Sequence, residues 1–232
     1  MGIFIGGGIT LEPGISLVTP PPPIPGSLYF SDGVTDGLTL PSILNLTSIT
    51  TFTIEAWVYP TALNTSTCII GDISGGTTDW ELSILNGNLQ FYWDDGITGY
   101  TSTGNSTINE DEWTHVALSV SSTVINLFVN GSIQTITGQN NFIVTGSTTN
   151  QIVIGNKSFD ASDAFLGYIT NLRINNSNSL YNAPFVPQIP LINTVGTTLL
   201  LLVESNDPFA DSSVSGATVT DLGSVSYNSQ YP

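Results

Sequence analysis

The sequence predicts an all-β fold, two antiparallel sheets packed face to face as a sandwich behind an extended N-terminal arm. Three observations predict it. Apolar and polar residues alternate with a period of two from Ser27 onward, the signature of strands with one buried face. The pairs Asn86-Gly87 and Asn130-Gly131 separate such runs, and Asn-Gly is the pair that a type I′ hairpin turn favours. No window carries a helical apolar stripe, and Thr, Ser, Asn and Gly fill the connections. Short strands of this kind also build barrels, but strands apolar on parts of both faces favour two packed sheets.

Residues 1–26 read as a separate unit, with 27–232 as the sandwich. Gly6-Gly7-Gly8 is followed by Ile9, Leu11, Ile15 and Leu17 alternating with polar residues, then by Pro20-Pro21-Pro22-Pro23. The proline run is a stiff polyproline II spacer, because fixed φ and absent N–H groups forbid helix and ladder. The segment before it is too short for a core. Ile3, Ile5, Ile9, Leu11, Ile15 and Leu17 are therefore expected to dock on a partner surface.

The strands follow in order. Thr51–Tyr59 sets Phe52, Ile54, Ala56 and Val58 against Thr53, Glu55, Trp57 and Tyr59. Trp80–Leu85 and Leu89–Trp93 flank the first Asn-Gly turn, and Val124–Val129 and Ser132–Thr137 flank the second. Trp113–Val120 puts Val116, Leu118 and Val120 on one face. Ile152–Ile154, Phe165–Ile174 and Thr198–Val203 complete the set.

Charge excludes several functions. The 232 residues hold two basic side chains, Lys157 and Arg173, against eighteen acidic ones, a net charge of −16. No basic face can form to bind nucleic acid or an anionic membrane. Most carboxylates must sit in water, on backbone donors or on metal ions. The charged fraction is only 9% and the hydrophobic fraction 40%, which is the balance of a folded chain. Cys68 is the only cysteine, so no disulfide forms within the chain, and Thr67-Cys68-Ile69-Ile70 reads as buried strand. The start, Met-Gly-Ile-Phe-Ile-Gly-Gly-Gly, lacks a basic n-region, so synthesis in a cytoplasm without secretory export is expected.

Four blocks carry a resemblance: Phe52-Thr53-Ile54-Glu55-Ala56-Trp57-Val58-Tyr59-Pro60, Glu112-Trp113-Thr114-His115-Val116-Ala117, Leu127-Phe128-Val129-Asn130-Gly131 and Gly167-Tyr168-Ile169-Thr170-Asn171-Leu172-Arg173-Ile174. In this order and spacing they resemble the laminin-G-like, concanavalin A-like jelly-roll superfamily, which includes pentraxins. Gly167–Ile174, Ser179–Pro187, Thr197–Leu202 and Asp207–Ser213 are similar to laminin-G-like domains of marine bacteriophage virion proteins, and Ile5–Thr10 is similar to N-termini of small cyanophage proteins. The resemblance implies a jelly roll and a non-enzymatic structural or adhesive protein at a virion surface. It would be held through residues 1–26 to other virion proteins or sister copies, a trimer being one arrangement, and would bind host surface glycans. A free calcium-dependent lectin is the alternative.

Jelly-roll glycosidases need alternating carboxylates on one strand, and Glu110-Asp111-Glu112 is contiguous and reads as a loop. His115, the sole histidine, lies in a strand block and reads as structural rather than as a general base. Calcium (Ca2+) takes hard oxygen ligands. The pentraxin resemblance implies it at Asp79, Asn156 and Asp160, with Asp163 added by proximity, the other reading being solvated loop carboxylates. Lys157 sits inside that loop and could replace the metal's charge. The acidic turn Ser31–Gly37 is a weaker metal candidate. Trp80, Trp93, Asp94, Asp95 and Tyr100 could form a sugar platform with acceptors; alternatively, Trp80 and Trp93 pack in the sheet across the Asn86-Gly87 hairpin.

Overall fold

The computed structural model describes residues 3–5, 9–11, 26–74, 77–143, 151–157, 163–189, 198–202, 209–213, 215–229 and 232. The strands in chain order are β1 (Ile3–Ile5), β2 (Ile9–Leu11), β3 (Ser27–Phe30), β4 (Leu38–Pro41), β5 (Phe52–Ala62), β6 (Ser66–Ser74), β7 (Thr77–Leu85), β8 (Asn88–Asp94), β9 (Gly99–Thr107), β10 (Thr114–Ser121), β11 (Val124–Val129), β12 (Ser132–Ile133), β13 (Thr137–Gly138), β14 (Gln151–Ile154), β15 (Leu166–Asn176), β16 (Thr198–Leu202), β17 (Thr220–Asp221) and β18 (Ser226–Asn228). Two eight-stranded antiparallel sheets form the sandwich. Sheet I runs β12-β11-β10-β5-β15-β3-β18, with β16 also against β15, and sheet II runs β13-β9-β8-β7-β6-β14-β4-β17. Among the described residues no helix is long and apolar enough to cross a membrane.

Both Asn-Gly pairs make the expected turns. Asn86 and Gly87 have φ of 48° and 78°, Asn130 and Gly131 of 49° and 73°, the paired positive values of type I′. Phe52, Ile54, Ala56 and Val58 of β5 face inward as alternation requires, beside Val116, Leu118 and Val120 of β10. They meet Trp80, Leu82, Ile84, Leu89, Phe91 and Trp93 of sheet II in one core. Phe52 joins the sheets directly, its ring 6.3 Å from that of Phe91 and 5.5 Å from that of Phe142.

Bulges change the parity where strict alternation fails. In β15, Thr170 opposes Trp57 and Arg173 opposes Glu55, so β15 advances three residues while β5 advances two. Asn171, at φ 49°, sits in that bulge. The extra residue lets Ile169 and Leu172 both reach the core and turns Arg173 toward Glu55 on the outer face. In β6 a bulge between Cys68 and Ile70 sends Ile69 and Ile70 inward together, while Cys68 packs with Ile73 and Val153 in a separate small cluster.

The outer face of sheet I is not open to solvent at its centre. Residues 178–189 cross it. Leu180 N donates to Thr53 Oγ1 at 2.9 Å, Tyr181 N to Ser119 Oγ at 3.2 Å and Phe185 N to Gly131 O at 3.0 Å. Phe185 stacks on Tyr181 with ring centres 3.6 Å apart.

The N-terminal segment expected as an extended arm contains β1 and β2. β1 and β2 pair antiparallel, with Ile3 opposite Leu11 and Ile5 opposite Ile9, as a two-stranded sheet of their own. Ile3, Ile5, Ile9 and Leu11 thus lie on paired backbone, while Ile15, Leu17 and the proline run lie outside the described residues.

Candidate functional site

Strands β7 and β8 build the most developed polar surface. Their inward residues are apolar, so parity puts Asp79, Glu81 and Ser83 of β7 and Gln90, Tyr92 and Asp94 of β8 on the opposite face. Register lines up Gly71, Glu81, Tyr92 and Thr101 across four strands, and Cys68, Ser83, Gln90 and Thr103 beside them. A cavity of about 350 Å³ opens here, lined by Ser66, Thr78, Glu81, Gln90, Tyr92, Asp94 and Lys157. That is the scale of a site for one small ligand.

Glu81 and Lys157 are its charged centre. Lys157 Nζ lies 2.9 Å from Glu81 Oε2 and 3.4 Å from Asp163 Oδ1. Burial raises the Glu81 carboxyl above its usual value, against the pull of Lys157. Burial would lower the Lys157 amine, but Glu81 and then Asp163 outweigh it and hold it above its usual value. A hydrogen bond from the Ser83 side chain also pulls the Glu81 carboxyl down, and Glu81 Oε1 is enclosed. Around it, Gln90 Nε2 donates to Thr103 Oγ1 at 3.0 Å and Tyr92 OH to Asp94 Oδ2 at 3.2 Å. Gly96 N donates to Asp94 Oδ1 at 2.6 Å, fixing the turn after β8. At the tip of that turn Ile97 is 92% exposed.

The sugar residues suggested by the sequence divide between the two faces. Trp80 and Trp93 are corrected to core positions: they are 1% and 0% exposed, directly opposite each other across the hairpin, and cannot stack on a ligand. The physical reason is parity, since each lies two residues from an inward partner, Leu82 or Phe91. Asp94 does line the cavity. Asp95 accepts from Ile97 N and Thr98 N and from the Tyr100 hydroxyl, so it shapes its own turn, while the Tyr100 ring stacks on Trp93 at 5.5 Å. Glu81 and Gln90 are missing from the sequence reading, although the parity of the same hairpin marks both; Lys157, read there as a stand-in for the metal's charge, lines the cavity with them.

The residues implied for calcium do not converge. Asp79 is buried on β7, where its charge helps raise Asp72. Asn156 is fully buried and its Nδ2 donates to Val34 O at 3.1 Å. Asp163 is paired with Lys157, and Asp160 lies outside the described residues. Among the described residues no group of three or more His, Cys, Asp or Glu side chains is placed to hold a metal ion. The described members therefore do not fit a single calcium ion, because an ammonium already neutralises the carboxylate that would contribute. The turn Ser31–Gly37 is likewise self-satisfied: Asp32 Oδ1 accepts from the backbone N of Val34, Thr35 and Asp36, and Asp36 Oδ2 from Ser31 and Asp32.

A second polar cluster lies beneath residues 178–189. Glu55 accepts from Arg173 Nε at 2.8 Å and from Tyr181 OH at 2.9 Å, and His115 Nε2 lies 3.1 Å from it. Burial alone would raise Glu55; His115 and Arg173 outweigh it and hold the carboxyl below its usual value. Glu55 and His115 are both fully buried within this cluster. Glu110-Asp111-Glu112 forms the turn before β10, with Glu110 Oε1 accepting from Leu63 N, as the loop reading expects.

The family described as the concanavalin A-like lectin/glucanases superfamily matches residues 32–179. No curated protein matches the chain. Among solved structures it is similar to a candidate carbohydrate binding protein from Bacteroides ovatus, at 14% identity and a TM-score of 0.56 over 88% of this chain and 62% of that one. It is also similar to the native heptameric SAP-like pentraxin from Limulus polyphemus, at 15% identity and 0.52 over 87% and 96%. The CBM40 of a Ruminococcus gnavus IT-sialidase gives 18% identity and 0.50 over 67% and 94%. At these identities the likeness is one of fold, and the chain spans 62% of the Bacteroides protein's length.

Proposed function

Because the chain belongs to the concanavalin A-like lectin/glucanases superfamily, we propose that it is a non-enzymatic carbohydrate-binding protein. Its sugar site is the cavity on the open face of sheet II. The observation that carries this reading is the Glu81–Lys157 floor with Gln90, Tyr92 and Asp94 around it, a concave set of donors and acceptors, with exposed Ile97 on the turn that follows Asp94. Pyranose rings present both hydroxyls and apolar C–H edges, and this surface offers partners to both. The wider role is adhesion at a virion surface. Its support is the similarity of residues 167–213 to phage laminin-G-like domains and a separately paired N-terminal segment suited to docking.

The test is binding of the full chain to a panel of immobilised polysaccharides, with Gln90→Ala and Tyr92→Ala beside the wild type. Each variant should weaken binding about tenfold, the loss expected from one well-placed hydrogen-bonding group. Full binding by both would overturn the assignment of this face.

A further inference from the structure

We infer that Lys157 is a tethered cation that does a metal ion's work in this pocket, and that the pocket selects a neutral, hydroxyl-rich sugar over an anionic one. This rests on the carbohydrate-binding reading and names the ligand class of the same site. Lys157 is one of only two Lys and Arg side chains in the chain, the other being sequestered under residues 178–189 with Glu55. Its Nζ spans Glu81 Oε2 and Asp163 Oδ1, at 2.9 and 3.4 Å. Glu81 is 4% and Asp163 18% exposed, so the two carboxylates meet where water screens them poorly. Carboxylates so placed repel unless a cation stands between them, and here a side chain supplies it.

Ligand choice follows from the charges. Glu81 and Asp163 already share this one ammonium, and Asp94 lines the same cavity. A uronate, sulfate or sialyl carboxylate entering the cavity meets a net negative field and finds no cation to itself. A neutral sugar meets no such penalty. Its hydroxyls find acceptors in the carboxylates that line the cavity and donors in Lys157 and Gln90.

The experiment pairs dextran with dextran sulfate, and laminarin with alginate, each immobilised and exposed to the full chain in calcium chloride or in EDTA. The inference expects binding to a neutral member, unchanged by EDTA, and weakened about tenfold or more by Lys157→Gln and by Glu81→Gln. Binding to the anionic members, or loss of binding in EDTA, would overturn it. Thermal melts supply a readout free of sugar, each chain being compared with itself in calcium and in EDTA. Superimposable melts in calcium and in EDTA support the tethered cation. A calcium-dependent rise in Tm that Asp163→Asn abolishes overturns it, whereas a rise that Asp163→Asn leaves intact places the ion elsewhere and keeps it. Binding to none of the four polysaccharides sinks the carbohydrate reading and the selectivity with it, and the melts then judge Lys157 alone.

Discussion

Tyr181 donates its hydroxyl to Glu55 Oε2 at 2.9 Å, from a segment 126 residues away in the chain. This bond ties residues 178–189 to the floor of sheet I, where Arg173 holds the other carboxylate oxygen. Glu55→Gln leaves a buried guanidinium without its counter-charge and should cost about 3–5 kcal/mol. Tyr181→Phe removes one hydrogen bond to the same carboxylate and should cost about 1–3 kcal/mol. Urea unfolding of the two variants checks the order. A smaller loss for Glu55→Gln than for Tyr181→Phe would show that the carboxylate does not organise the cluster.

Asp72, like Glu81, sets up a pH effect of opposite sign to the carboxylates that are held low. Burial, with the Asp79 charge adding, raises it from 3.8 to about 6, and its Oδ1 is enclosed without a partner. A raised carboxyl favours the folded state while protonated, so its contribution is complete below about pH 4 and is lost as pH rises through about 6. Glu55, Asp32, Asp95 and Asp211 are held low, so their contribution is present above about pH 4 and is lost in acid. The difference between Asp72→Asn and the wild type isolates the first effect. The variant should match the wild type near pH 4 and exceed it by about 1–2 kcal/mol at pH 8 after allowing for screening. Equal stability at both pH values would refute the assignment.

Parity makes most of the sandwich legible. Phe52, Ile54, Ala56 and Val58 announce β5, and the two Asn-Gly pairs announce their hairpins. β9 is silent because GYTSTGNST offers almost no apolar pattern, its place being set by pairing with β8 and β13. β6 is blurred because two bulges break its alternation. At the site, Trp80 and Trp93 draw attention as aromatics, yet the same alternation that buries Phe91 buries them. The Lys157–Glu81 pair has no local signal, since 76 residues separate its members and only the fold brings them together.

Gly131 shows how one turn secures the covering segment. A Cβ there would collide with the Phe185 carbonyl, and φ is +73°. Gly216 has a positive φ of +54° as well, but nothing lies within 4 Å of its Cβ position. Gly216→Ala should therefore cost only the conformational penalty, about 1 kcal/mol. Gly131→Ala should cost more and should loosen residues 178–189, read as faster amide exchange at Tyr181 and Phe185. Equal melting temperatures for the two variants would show that the contact with Phe185 carries no weight.

The paired segment at residues 3–11 shares no sheet with the sandwich, so its removal should leave the core intact. A chain starting at Ser27 is expected to melt as the full chain does. If the segment assembles copies, light scattering after size exclusion will give an oligomer for the full chain and a monomer for the truncation. The same number of copies per particle for both would remove assembly of copies from its role.

Tyr92 and Trp93 are neighbours in sequence with opposite duties. Trp93 is fully buried and stacks on Phe91 with ring centres 5.0 Å apart, whereas Tyr92 lines the cavity of sheet II. Trp93→Ala should cost about 3–5 kcal/mol through the cavity it leaves. Tyr92→Phe keeps the ring and removes only the hydroxyl that donates to Asp94. That hydroxyl is at the rim of the cavity, so its loss should move Tm little and weaken glycan binding severalfold. Melting curves and polysaccharide binding on both variants separate the faces. Were Tyr92→Phe to lower Tm as far as Trp93→Ala with binding unchanged, the polar face of β8 would be a structural surface, and the binding site would have to lie elsewhere.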